Sequence, residues 1–177
     1  MSQLSLIPPK LDAIKSNQGA LYLFSFRDKM PLSGVVGQVD WRLLGRLSQL
    51  SIDGFITGAL GEQLLFPLGN RMTLEHLILI GAGRRSELSR ESFKVGIQQM
   101  FTSAKQLNCT QLTTALPGRP ENLLDAHDAI QWFLDIYQRL EDKFYVTIID
   151  TYEVHPIFQE EMEKRRMKAS VTPPPTS

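Results

Sequence analysis

The chain has 177 residues, 42% of them hydrophobic, and its 19 basic and 19 acidic side chains give a formal net charge of zero. That length suits one domain burying about two thirds of its unfolded surface without a stapling metal or disulfide. The balanced charge argues against nucleic acid or an anionic membrane as partner and slightly favours self-association, while the single cysteine, Cys109, excludes an internal disulfide and a multi-cysteine zinc site.

No charged start followed by an apolar stretch suggests a secretory signal, and no run approaches the ~18 apolar residues that span a bilayer. A soluble, cytoplasmic protein is expected. Met1 to Lys10, with Pro8-Pro9, reads as an extended lead-in and Leu11 to Lys15 as a short strand. Asn17-Gln18-Gly19 signals a turn. The aromatic-rich run Ala20 to Phe26 predicts a strand, and Arg27 to Gly37 a loop. Asp40 is expected to cap a helix whose Leu43, Leu44, Leu47 and Leu50 recur at helical spacing, ending before Gly54. Trp41, in its first turn, is expected to pack on the preceding loop rather than to offer a binding platform.

Ile56 to Glu62 reads as an exposed turn, and Gln63 to Pro67 as a strand stopped by proline. Glu75 to Gly81 is the strongest buried-strand signal, suited to a central strand covered on both faces. Ser86 or Ser89 then caps a helix with Phe93, Ile97, Met100, Phe101 and Ala104 on its apolar face. Gln111 to Leu116 predicts a strand closed by Pro117-Gly118, followed by a helix from about Glu121 to Leu140. Lys143 to Ile149 predicts another strand. Pro156 opens a last helix, on which Glu160 to Lys164 and Glu161 to Arg165 are favourable i,i+4 pairs. The expectation is a single domain over 1–167 and a flexible proline-rich tail over 168–177. Alternating strands and helices predict an α/β fold: three layers, α/β/α, around a mixed central sheet.

Chemistry-bearing residues are sparse. His76, His127 and His155 lack metal-ligand spacing, and no nucleophile elbow occurs, so neither catalytic residue, metal nor cofactor is expected. Asp125, Asp128 and Asp135 on one helix, and Glu160, Glu161 and Glu163 on another, read as solvated faces. Cys109 reads as a small apolar residue. The one loop with ligand-binding physics is Gly81-Ala82-Gly83-Arg84-Arg85, between a buried strand and a helix. Gly81 and Gly83 would let backbone N–H groups approach a small anion, and Arg84 and Arg85 could pair with phosphate. It has neither a third glycine at dinucleotide-loop spacing nor the lysine of a P-loop.

Four pieces in order carry a family resemblance: Asp40 to Ser48, Phe55 to Pro67, Leu77 to Leu88 with its Leu-Ile-Leu-Ile-Gly-Ala-Gly-Arg-Arg run, and Leu112 to Pro117. Together they resemble the N-terminal domain of the leucyl aminopeptidase family, over about Leu21 to Pro117. The resemblance implies a macro-domain-like fold. It also implies a chain without catalytic function, because the family's metal ligands lie in a C-terminal domain whose acidic signature is missing from these 177 residues. The expected role is a non-catalytic binding or scaffolding module that takes a protein partner, itself or an aminopeptidase. The alternative is a macro-like binder of nucleotide or ADP-ribose.

Overall fold

The computed structural model describes residues 3–15 and 19–171, so Asn17 and Gln18 of the expected turn and 172–177 of the tail expected over 168–177 lie outside the described residues, while 168–171 continue the last helix. Strands β1 (Leu4–Ile7), β2 (Ala20–Ser25), β3 (Gln63–Pro67), β4 (His76–Gly81), β5 (Gln111–Thr114) and β6 (Tyr145–Ile149) form one sheet in the order β1-β6-β5-β2-β4-β3. Every pairing is parallel except that of edge strand β3 with β4. The helices are α1 (Gly34–Arg42), α2 (Arg46–Ile52), α3 (Arg90–Gln106), α4 (Ala126–Tyr137) and α5 (Val154–Val171).

Side chains of a strand alternate between faces, so a strand buried at every position must be covered twice. β2 meets this condition: Tyr22 and Phe24 enter one core, Leu21 and Leu23 the other. The first core is closed by α3, α4 and α5 through Phe93, Ile97, Ile130, Phe133 and Phe158. The second is closed by α1 and α2 through Val35, Val39 and Leu47. Each such side chain contributes about 1.5–3 kcal/mol. The result is the expected α/β/α sandwich with a mixed sheet.

Local differences from the sequence expectation have physical causes. The lead-in is partly a strand, because Leu4 to Ile7 pair in register with Val146 to Ile149. Leu11–Ala13 is a 3₁₀ turn rather than a strand. Leu11 and Ile14, three apart, enter the same core. The Gln38 amide serves the local backbone, accepting from Leu11 N–H at 3.3 Å and donating to Pro9 O at 3.0 Å. The leucine-rich helix is two helices: α1 starts within the expected loop, and Asp40 lies inside it. Asp40 is still a cap, but for α2: its carboxylate accepts from Leu47 N–H at 2.8 Å, Ser48 N–H at 3.1 Å and the Ser48 hydroxyl. Ser89 caps α3 in a reciprocal box with Ser92.

The two acidic faces are not simply solvated. Asp135 accepts from Arg90 at 3.1 Å and Arg165 at 2.8 Å, which ties α4 to both α3 and α5. Glu161 is buried, within 3.4 Å of His127 Nε2 and 3.2 Å of Lys164 Nζ. Packing α5 on α4 removes Glu161 from water, and polar partners from both helices, His127 on α4 and Lys164 on α5, replace the lost hydration. The expected pair Glu160–Lys164 is present at 2.7 Å.

Candidate functional site

Five parallel strands end at the same edge of the sheet. In such sheets ligands enter a crevice at the carboxyl ends, where neighbouring strands continue to opposite faces. β2 continues into α1 on one face and its neighbour β5 into α4 on the other. A cleft of 670 Å³ opens on this side, lined among others by Gly34, Arg119, Asp125, Asp150, Glu153 and Val154.

The electrostatics of this cleft are largely self-satisfied. Arg119 grips Asp150 through Nε–Oδ2 at 2.9 Å and Nη2–Oδ1 at 3.1 Å, and gives Nη1 to Leu124 O at 2.8 Å. Asp150 also accepts from Thr151 N–H at 2.8 Å. Asp125 caps α4 by accepting from His127 N–H at 2.8 Å. The single guanidinium in the lining is therefore committed, and Glu153 adds a further carboxylate. The N-termini of α1, α4 and α5 contribute partial positive charge at the rim.

Two more ion pairs continue the pattern. Lys29, after β2, meets Glu121, after β5, at 3.4 Å. Asp28, also after β2, accepts from Arg85 N–H at 3.0 Å, with Arg85 Nε at 3.5 Å. The backbone hydrogen bond from Arg85, helped by its charge, holds the Asp28 carboxyl below the usual range. In spatial order the loops after β4, β2, β5 and β6 are each tied to the next.

The glycine loop named from the sequence sits at this edge. Gly81 N–H donates to Glu62 O at 2.8 Å, Ala82 N–H to Ser25 O at 2.8 Å and Gly83 N–H to Gly58 O at 2.9 Å. A Cβ on Gly81 would stand 1.9 Å from Ala59 O, so glycine lets the 58–62 segment cross over the end of β4. Gly83 has φ +78°. Arg85 is occupied by Asp28, while Arg84 is exposed and carries no ion pair among the described residues. Sequence spacing gives no warning of Glu62, whose carboxylate accepts from Thr57 N–H and Gly58 N–H and fixes this crossing segment.

At the opposite end of the strands a 290 Å³ cavity collects Glu75, His76 and Cys109. Burial pushes the Cys109 thiol up, and its Sγ donates to Gln111 O at 3.2 Å, which leaves a poor nucleophile. Among the described residues no three His, Cys, Asp or Glu side chains gather as metal ligands. No described helix is long and apolar enough to cross a membrane.

The largest departure from expectation is apolar. Trp41 is 80% exposed and Leu44 82%. Because α1 begins at Gly34, Trp41 falls in its last turn rather than its first. Val35, Val36, Val39 and Leu43 take the inner side of this segment, which leaves Trp41 outside.

The strand order, the two helical layers and the cleft at the carboxyl edge define a macrodomain-like α/β protein. The Oceanobacillus iheyensis macrodomain solved with ADP superposes with a TM-score of 0.73 at 12% identity, covering 93% of this chain and 92% of that one. A tomato leucine aminopeptidase mutant superposes with a TM-score of 0.60 at 18% identity, covering 88% of this chain but 34% of the enzyme. The family model for the N-terminal domain of the cytosol aminopeptidase family matches residues 22–133, and the chain belongs to that family. A probable cytosol aminopeptidase of Thermosynechococcus vestitus is 27% identical over 128 residues, 72% of this chain and 26% of that protein. One from Mannheimia succiniciproducens is 25% identical over 107 residues, 60% of this chain and 21% of that protein. The chain thus spans about a quarter of the length of these curated relatives.

Proposed function

We propose that this chain is a non-catalytic binding module that works by contact with another protein in the cytoplasm, an aminopeptidase being one such partner. The observation that carries this reading is the pair Trp41 and Leu44, large apolar side chains held in solvent at one bend of a well-packed domain. Single exposed apolar residues are ordinary, but two at 80% and 82% on consecutive turns favour a contact surface. The family match lies within the N-terminal domain, and the described residues offer no dinuclear ligand set. The test is hydrolysis of leucine p-nitroanilide by the purified chain with manganese or zinc. No turnover is expected, and turnover that persists through purification and disappears with a chelator overturns the reading.

A second reading, a binder of nucleotide or ADP-ribose, draws on the 670 Å³ cleft and on the fold shared with a macrodomain solved with ADP. In it the Gly81, Gly83, Arg84 and Arg85 loop would face the anion, with Arg84 as its free cation. The committed amides of that loop and the locked Arg119 weigh against it. Calorimetry with ADP-ribose separates the two: heat that disappears in the Arg84→Ala, Arg85→Ala double variant would favour this second reading.

A further inference from the structure

α1 ends in a paired turn: Leu44 N–H donates to Trp41 O at 3.1 Å and Gly45 N–H to Asp40 O at 2.9 Å. This is the Schellman arrangement, whose left-handed position is normally glycine. Here that position is Leu44, at φ +58°, although Gly45 stands next to it in the chain. A leucine in the left-handed region is unfavourable by roughly 1–2 kcal/mol. Its side chain gains little burial in return, since it is 82% exposed. A partner that covers Leu44 removes the apolar exposure, and that burial offsets the backbone cost.

Leu44 is also the lip of a 640 Å³ groove that runs between the α1–α2 bend and the end of β3. Its floor is apolar, with buried Leu43 and Leu68 flanked by Phe66 and Pro67. Its rim carries Arg46 and Arg71, both exposed and without an ion pair among the described residues. No acidic side chain among the described residues lines it. Arg119, Arg85 and Arg90 elsewhere each hold an aspartate, while Arg84 and Arg139 are also without an ion pair among the described residues but stand apart from any comparable apolar floor with a second such arginine.

We propose that this groove docks an acidic segment of a partner protein, with a large apolar side chain of that segment seated over Leu43 and Leu68 and its carboxylates on Arg46 and Arg71. The proposal rests on the binding-module reading above and gives it a surface and a partner chemistry. Charge complementarity selects the occupant: the apolar floor calls for an apolar anchor and the unpaired guanidiniums for carboxylates. A nucleic-acid strand fits less well, because two arginines make no continuous cationic track.

The experiment is selection from a random 16-residue peptide library displayed on phage. Recovered peptides are then titrated by fluorescence polarisation against the wild-type chain, the Arg46→Ala, Arg71→Ala double variant and Leu44→Gly. The expected result is enrichment of Asp/Glu-rich peptides with a bulky apolar residue. They should bind the double arginine variant at least tenfold more weakly, lose affinity with added salt, and bind Leu44→Gly more weakly although that variant melts at a higher temperature. Selected peptides that bind all three proteins equally would remove the groove while leaving a binding module elsewhere. A failure to enrich any peptide sinks the groove proposal. So does tighter binding of a single-stranded oligonucleotide that depends on the same arginines, or a dimer by light scattering that dissociates in the arginine variant. Peptidase turnover, in contrast, overturns only the underlying reading.

Discussion

Arg119 and Asp150 face each other across the carboxyl edge of the sheet through two parallel hydrogen bonds, at 2.9 and 3.1 Å, with side chains only 12% and 6% exposed. A guanidinium and a carboxylate so placed are both removed from water, and each replaces the other's hydration. The pair joins the loop after β5 to the end of β6 in the cleft where this type of fold would receive a ligand. Its geometry makes it a clasp between loops rather than a hand held out to an anion.

The first prediction follows directly. Arg119→Ala leaves Asp150 buried without its partner, and the expected loss is about 3–5 kcal/mol. The double variant Arg119→Met, Asp150→Leu should be much less damaged than the two single changes combined, because neither charge is then stranded. Urea unfolding of the wild type, Arg119→Ala, Arg119→Met, Asp150→Leu and the double variant measures both effects. A single-variant loss below the error of the measurement would show that the clasp has no structural role.

The second concerns Asp40. Its carboxylate takes three hydrogen bonds from Leu47 and Ser48 and lies buried under the α1–α2 bend. Asp40→Ala orphans two N–H groups, one of them buried, and should cost about 2 kcal/mol. Asp40→Asn keeps an accepting oxygen and should retain a good part of that. Thermal unfolding of the two variants decides, and equal losses would contradict the capping role.

Asp40 also shows where the sequence is legible and where it is not. Its residue type signals a helix start, and it does cap a helix. The periodic leucines run straight across the bend at Leu44-Gly45, so one helix is expected where there are two. The difference is fixed by backbone handedness, since φ is positive at both Leu44 and Gly45, which apolar periodicity does not encode. β4 is legible because an unbroken run of apolar residues closed by glycine has few other solutions. The ion pairs of the cleft are not: Lys29 and Glu121 are 92 residues apart, and only the parallel order of the strands brings their loops together. Trp41 departs from expectation for the same reason as Asp40, because α1 begins well before the start that the capping signal suggests.

A third prediction tests the glycine loop. Gly81 has no positive φ, so it is the crossing backbone of Gly58 and Ala59 that forbids a side chain there, the Ala59 carbonyl oxygen lying 1.9 Å from where a methyl group would stand. Two backbones locked by Gly81 N–H to Glu62 O and Gly61 N–H to Gly81 O cannot separate without losing those bonds. Gly81→Ala should cost about 1–3 kcal/mol or more. Gly96→Ala meets the Phe24 ring at 3.0 Å, a side chain that can shift, and should cost less. Chemical denaturation of both variants provides the comparison; the reverse ranking would mean that the 58–62 crossing is not rigid.

The last prediction concerns pH. Tyr22 is fully buried at the centre of β2, its hydroxyl 3.2 Å from Ser103 Oγ. Burial disfavours the phenolate and pushes the group from its ordinary 10.0 up to about 12, with the Ser103 hydrogen bond offsetting part of the rise. The folded value lies above the unfolded one, so the folded chain keeps its proton where the unfolded chain gives it up. Stability from this source is complete below pH 10.0 and declines as pH rises toward about 12. The loss is on the order of 2 kcal/mol across that interval. Tyr22→Phe should be less stable at neutral pH by about 1 kcal/mol through the lost hydrogen bond. It should, however, lose stability more slowly at high pH, so the two unfolding curves converge. Urea titrations at neutral pH and at several alkaline values read the difference, and parallel curves would show that Tyr22 ionises in the folded protein as readily as in water.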